Sequence, residues 1–344
     1  MKYTMLLWPH ANARYQHETR RLAAAELRLM LERIAPAAVV AVGEDIPMPC
    51  LDIECPAPLG EGALRAIRSH SLLYGLFERR EDDSLLPVAG RADALLGDDL
   101  PSILKYKGKT NEMFLQLLIN VGLYSGAFWN DNGKLEFLDP MCGRATAPFI
   151  ALNRGWNATG ADVDKVDLKE AEKFFKRYLE YHRFKHRMTR ESRTLRGGKA
   201  APVVRFEAAA SAEDMKAGEG VALSLINLDA GRSGDALGRS SVHLIACDLP
   251  YGVRHDAVPG QSIPKVGNWL EALLAKAVPA WRNILKPGGT LALSFNAQNF
   301  KRDRLRALMA DAGFEVLSGG PYDDLEHWVE QAITRDVAVA RKPR

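Results

Sequence analysis

Residues 247–252 read Cys247-Asp248-Leu249-Pro250-Tyr251-Gly252, directly after the apolar run Val242 to Ala246. A carboxylate, a proline and an aromatic at the end of a buried strand form one edge of a pocket for a flat, amine-bearing ring. Asp248 can accept one amine hydrogen, and the backbone carbonyl beside Pro250 can accept the other. Tyr251 can stack on the ring face. An exocyclic amine on a purine is a poor nucleophile, because its lone pair is delocalised into the ring. Two acceptors set off the ring plane draw the hydrogens out and localise that pair. The gain comes from holding donor and acceptor in line and from offsetting the charge that builds on nitrogen. Methylation of a base amine needs this set of groups.

Three more acids extend the pattern. In Phe137-Leu138-Asp139-Pro140-Met141-Cys142-Gly143-Arg144-Ala145-Thr146 a strand ends in an acid, and a glycine turn then opens a helix. In a parallel sheet that turn lies at the carboxyl edge, where ligands bind. Gly143 lets the backbone come close to a ligand. Asp139 suits a cationic amine, and its charge disfavours a dinucleotide, whose pyrophosphate wants more glycines. The matching donor is S-adenosylmethionine, with its amino group and sulfonium. In Gly160-Ala161-Asp162-Val163-Asp164, Asp162 can take both hydroxyls of a ribose, and Asp164 falls at a helix N-cap. In Asn227-Leu228-Asp229-Ala230, Asp229 can accept a hydrogen bond from an adenine amine. Each acid alone is an ordinary turn former. Four acids at four successive strand ends are harder to explain as turns.

Such an array needs parallel strands joined by helices. Apolar runs at 135–138, 158–163, 221–228, 242–247 and 290–295 alternate with helical stretches, which implies a mostly parallel sheet covered on both faces. Runs at 314–317 and 336–340 are the last expected strands. Upstream, strands near 4–8 and 39–42 and helical spacing at Leu22, Leu27, Met30, Leu31 and Ile34 give a small α+β unit. The expected division is a small α+β domain over 1–98, a candidate RNA-binding unit, and an α/β domain over 99–344. The stretch 192–202 is the expected mobile insertion.

The 344 residues carry a net charge of only +3, unevenly spread. Residues 1–100 hold 11 Lys/Arg against 15 Asp/Glu, while 165–199 holds 12 against 5. Read as one basic helix, 165–199 suits a polyanion. Lys173, Lys176, Arg177, Arg183 and Lys185 are its candidate phosphate contacts, with Tyr178, Tyr181 and Phe184 interleaved as stacking groups. The alternative is a solvated helix face with core aromatics. His182 and His186 have metal-ligand spacing without a third ligand, so no metal is assigned. No apolar stretch reaches the roughly 18 residues of a membrane span. The four cysteines Cys50, Cys55, Cys142 and Cys247 lack zinc spacing and suit a reducing cytoplasm.

On these motifs the chain resembles class I (Rossmann-like) methyltransferases of the amino-methylating type, over about 105–340. Their first motif is commonly Asp-Pro-x-Cys-Gly-x-Gly-Thr and their fourth Asp/Asn-x-Pro-Tyr/Phe. The form with leucine between Asp248 and Pro250 looks most like the tRNA guanosine-N2 methyltransferases, a group that often carries an N-terminal THUMP domain. The likeness extends to Leu285-Lys286-Pro287-Gly288-Gly289 and to an Arg335-Asp336-Val337 strand. It implies a seven-stranded, mostly parallel sheet. It implies cofactor contacts from Asp139, Pro140, Cys142, Gly143, Thr146, Asp162, Asp229 and Asp248, and from a closing helix start at Thr110 and Asn111. It gives Asp248, Pro250 and Tyr251 to the target base and makes RNA, above all tRNA, the partner. An activating protein partner stays open. Ala145 stands where the family has a second glycine. Alanine resists positive φ, so a tighter turn or a slightly altered cofactor pocket is expected. The motif also serves adenine N6, small molecules or protein side chains, and a non-catalytic RNA-binding subunit would keep the same fold.

Overall fold

The computed structural model describes residues 1–9, 13–131, 133–251 and 266–344. Its strands fall into two sheets. The first is antiparallel, in the order β2 (Val39–Val42), β3 (Cys50–Glu54), β1 (Lys2–Leu7), β4 (Leu73–Arg79), β5 (Leu85–Ala89). Alternation sorts the faces of β1. Tyr3, Met5 and Leu7 enter a core with Leu27 and Leu31 of the Ala13–Ile34 helix, while Thr4 turns to the opposite face and donates to Asp52 at 3.0 Å.

The second sheet holds β6 (Glu136–Asp139), β7 (Asn157–Asp162), β8 (Lys185–Thr194), β9 (Ala200–Ala209), β10 (Val221–Asn227), β11 (Val242–Asp248), β12 (Leu285–Asn296), β13 (Glu315–Leu317), β14 (His327–Glu330) and β15 (Ile333–Arg341). The order β10-β7-β6-β11-β12 is parallel throughout, with the reversal between β6 and β11. That is the doubly wound, Rossmann-like arrangement, whose ligand crevice opens at the carboxyl ends beside the reversal. Antiparallel β15, with β13 and β14 paired to it, continues one side.

The other side carries two antiparallel strands, β9 and β8, so the sheet has ten strands where seven were expected. The stretch 192–202 is part of that hairpin: its two strands pair from Lys185↔Ala209 to Thr194↔Ala200. The basic run 165–199 is likewise no single helix. It consists of the Lys165–Tyr181 helix, a turn with Arg183 at φ 58°, and β8.

Both faces of the parallel strands of the second sheet are buried, which explains their continuous apolar runs. Along β11, Leu244 and Ala246 enter the core beneath the Glu112–Ser125 helix, whereas Ile245 and Cys247 pack with Trp281 of the Val266–Ile284 helix. A Cβ at Gly122 would fall 2.6 Å from Leu244, so glycine there lets the Glu112–Ser125 helix sit close on β11. The same helix packs on the Ala13–Ile34 helix and so joins the two sheets. A buried polar node pins that joint. Glu26 accepts from Ser71 N at 2.9 Å, from the Ser71 hydroxyl and from Asn120 Nδ2 at 2.5 Å, with His70 Nε2 at 3.4 Å. No described helix is long and apolar enough to cross a membrane.

Candidate functional site

The crevice is built from strand ends. Asp139, Asp162 and Asp248 are the last residues of β6, β7 and β11, and Asp229 follows β10. The parallel register brings three of them into one electrostatic group. Asp139 is 5% exposed and accepts a backbone hydrogen bond from Met141 N at 3.1 Å and a second hydrogen bond from the Cys247 thiol. Burial, reinforced by the charges of Asp162 and Asp248, pushes its carboxyl up to about 8. Burial also raises Asp162, whose two oxygens accept from Gly143 N at 2.8 Å and Asp164 N at 2.9 Å. Asp229 stands apart from this group. It is exposed, and its carboxylate caps the turn that follows by accepting from Gly231 N at 2.9 Å.

The glycine turn closes the floor. Gly143 has φ 50°, and a Cβ there would rest against the Tyr106 hydroxyl at 3.8 Å and Asp167 at 4.0 Å, so it is the backbone conformation, rather than free space, that favours glycine. Ala145 takes φ 67°, ψ 29° with its methyl buried. The expected tighter turn is therefore absent: alanine adopts the left-handed conformation glycine would supply, at a cost of about 1–2 kcal/mol. Pro140 and Cys142 are buried in the wall, where desolvation pushes the Cys142 thiol well up. Thr146 begins the next helix and meets the Tyr106 hydroxyl. Arg144 lies over the Tyr106 ring at 4.6 Å and donates to Asp167 at 2.8 Å, so a cation and a phenol roof the turn.

The fourth strand end is held by hydroxyls. Thr110 Oγ1 donates to Asp248 Oδ2 at 2.5 Å, and the Tyr251 hydroxyl donates to Asp248 Oδ1 at 2.5 Å. Arg335 of β15 donates from Nε to the Tyr251 hydroxyl at 2.6 Å. Its guanidinium also lies 3.8 Å from Asp248 Oδ2 and 4.2 Å from the centre of the Phe114 ring. Desolvation and the Asp248 charge raise the Tyr251 phenol, so it stays protonated. Tyr251 was expected to work through its ring face; its hydroxyl is engaged by Asp248 and Arg335, and the Arg335 guanidinium also lies over its ring at 5.4 Å. Pro250 is half-buried beside it, Leu249 N is fixed to Ser294 O at 2.8 Å, and Gly252 lies outside the described residues. Asn111 accepts from Met113 N and Phe114 N, capping the Glu112–Ser125 helix next to Thr110.

Arg335, Tyr106 and the Arg144–Asp167 pair are site residues that the motifs did not disclose. Arg335 sits 84 positions from Tyr251, and no local spacing announces that contact. The basic residues also divide. Lys173, Lys176 and Arg177 lie on the Lys165–Tyr181 helix, Arg183 on the turn and Lys185 on β8, all exposed. Tyr181 is 83% exposed, but Tyr178 is core, its hydroxyl donating to Leu96 O and Asp99. Tyr178 therefore cannot stack on a base.

The residues fit S-adenosylmethionine. A desolvated carboxylate with one backbone donor and one thiol donor can meet a cation at Asp139, Gly143 brings bare backbone to the crevice, and Asp162 keeps lone pairs for hydroxyls. No family model matches the chain, and no curated protein does. Among solved structures, a TehB-like SAM-dependent methyltransferase from Corynebacterium glutamicum shares 16% identity, covering 60% of this chain and 80% of that one, at a TM-score of 0.35. Magnesium protoporphyrin IX methyltransferase from Synechocystis with bound SAM shares 16%, covering 71% and 90%, at 0.37. A SAM-dependent methyltransferase from Methanosarcina mazei shares 15%, covering 61% and 93%, at 0.35. At TM-scores below 0.5 none of these likenesses assigns an activity to the chain.

Proposed function

We propose that the chain is an S-adenosylmethionine-dependent methyltransferase acting on an exocyclic base amine of RNA, with the N2 amine of a tRNA guanosine as the favoured target. One observation carries the reading: Asp248, set between two hydroxyls at the end of β11, belongs to the same charged group as the desolvated Asp139 on the neighbouring strand β6. When bound, S-adenosylmethionine supplies an electrophilic methyl group on a sulfonium. Asp139 would hold its ammonium, Asp162 its ribose hydroxyls and Asp229 its adenine amine.

This chain's own residues do the rest. Asp248 takes one amine hydrogen, and the backbone carbonyl beside Pro250 takes the other, which turns the nitrogen lone pair out of the ring. Thr110, Tyr251 and Arg335 hold the carboxylate in one orientation, so little reorganisation is left for the reacting complex. Asp248 also offsets charge as the amine becomes cationic. A base reaches this pocket only when splayed out of its helix.

The test is transfer of a labelled methyl group to total tRNA, total rRNA and DNA, followed by nucleoside analysis. Labelled N2-methylguanosine from tRNA is expected. Label in N6-methyladenosine alone would move the target to adenine. No label in any nucleic acid, with the cofactor bound, would overturn the RNA reading.

A further inference from the structure

A cavity of about 690 Å³ runs between the first sheet's helices and the Glu112–Ser125 helix. It falls within the range of ligand sites, and none of the motif acids at the strand ends lines it. Arg65, Arg68, Arg91 and Arg154 line it from both sides, together with Trp129 and Trp156. Arg154 is half-buried, lies over the Trp156 ring at 5.3 Å, and has no carboxylate within ion-pair distance among the described residues. Burial pulls its guanidinium down to about 10, helped by the neighbouring Arg91 and opposed by the Tyr124 phenol and the Glu26 carboxylate. A desolvated cation without a paired counter-charge is costly to keep. Arg91 gives one donor to Gln116 at 2.9 Å and likewise pairs with no carboxylate among the described residues. Four acids also line the cavity: Asp93, Asp98 and Asp131 are exposed, Glu112 pairs with Lys109 at 3.5 Å, and none of them forms an ion pair with Arg91 or Arg154.

A second cavity adjoins the first on the side nearer the acids. Trp8 and Met113 line both this cavity and a second, smaller one of about 140 Å³, which reaches Asn111 and Phe114. Asn111 neighbours the Thr110 bonded to Asp248, and Phe114 lies under Arg335. Trp8 is 42% exposed and meets Tyr74, 56% exposed, at 5.4 Å, an open aromatic pair. The 14-residue Glu112–Ser125 helix spans about 21 Å at 1.5 Å per residue, so the path is several nucleotides long.

We infer that this groove holds the single strand flanking the target nucleotide, its phosphates on Arg91, Arg154 and their neighbours and its bases against the tryptophans. Guanidinium forks with aromatic faces are the chemistry of single-strand nucleic-acid binding. The inference rests on the RNA reading above.

The experiment uses the full chain, a fluorescein-labelled 12-nucleotide single-stranded RNA, and anisotropy across a salt series. Arg91→Gln and Arg154→Gln should each weaken binding about tenfold, the loss of one charged hydrogen bond. Each should also lower the slope of log K against log salt by about 0.7. Arg154→Lys, which keeps the charge, should restore the slope. Because a desolvated, unpaired cation is removed, Arg154→Gln should melt no lower than the wild type. Unchanged affinity and slope in both glutamine variants would overturn the groove. If the wild type methylates RNA while these variants keep its KM, the groove fails and the RNA reading stands. If RNA binding depends on Arg154 while no RNA is methylated, the groove stands and that reading fails.

Discussion

Two buried carboxylates, Glu26 and Asp139, differ in what surrounds them. Glu26 lies in the joint between the sheets and accepts from a backbone amide, a hydroxyl and an amide side chain, with an imidazole nearby. Asp139 lies at the crevice and has one backbone donor, a weak thiol donor in Cys247, two carboxylates in its field, and a carboxyl pushed up to about 8. A saturated carboxylate holds a fold together. A desolvated one gives up stability for a readiness to meet a cation. The contrast separates structure from site without reference to any other protein.

Asp248→Ala tests the site end most severely. It should cut methyl transfer on the order of 10³-fold, the scale of losing a preorganised polar group at a reacting centre. Cofactor binding by calorimetry should change little. Equal loss of both would erase the division between the donor-holding and amine-holding acids.

Glu26→Ala tests the structural end. It strands Ser71 and Asn120 in the interior and should cost about 3–5 kcal/mol in urea unfolding, as when one partner of a buried charged network is removed. Cofactor affinity per folded molecule should stay constant. A drop in affinity without a drop in stability would place Glu26 in the site.

Asp139→Asn separates the two by pH. The folded carboxyl titrates near 8, against about 3.9 in an unfolded chain. Between those values the folded state holds the extra proton, so this group's contribution to stability is lost as pH rises from about 4 to 8. Asparagine removes that loss. Its melting temperature should exceed the wild type's at pH 8 and approach it near pH 5, the gap growing by at most about 1.4 kcal/mol for each pH step of one. Wild-type affinity for the cationic cofactor should climb with pH up to about 8, and the variant's should be low and flat. A pH-independent wild type would mean that Asp139 meets no cation.

The site side of this contrast was legible in the sequence, and Glu26 was not, because its partners Ser71 and Asn120 lie far along the chain. Apolar runs that end in acids located β6, β7, β10 and β11 and so the four strand-end acids, because strands buried on both faces leave continuous hydrophobic signals. Asp164 could be read as a helix cap from its place before the Lys165–Tyr181 helix, whose first amides it accepts. The hairpin β8–β9 was hidden. Most of β8 faces solvent, so Lys185 to Thr194 shows no apolar alternation and reads as an extension of the charged helix before it. Arg335 was hidden because a long-range contact has no local spacing. Asp229 reads like its companions on the chain, yet its carboxylate closes a turn.

Tyr251→Phe addresses what Arg335 adds. The ring is kept and only the hydroxyl joining Arg335 to Asp248 is lost. A fall in kcat of about 10- to 100-fold with KM nearly unchanged is expected, the range for one well-placed polar group. Full activity in the phenylalanine variant would return the residue to simple stacking.

The smallest effect belongs to Ala145. Its left-handed backbone costs about 1–2 kcal/mol relative to the right-handed region. Glycine recovers that strain but loses roughly 0.5–1 kcal/mol of backbone entropy. Ala145→Gly should therefore stabilise by between about 0 and 1.5 kcal/mol in denaturant titration. Because the methyl of Ala145 is buried, cofactor affinity should not improve. A large gain in affinity from this one change would mean that the alanine crowds the crevice, and that strain at the turn, rather than the charge on Asp139, governs how the site meets its ligand.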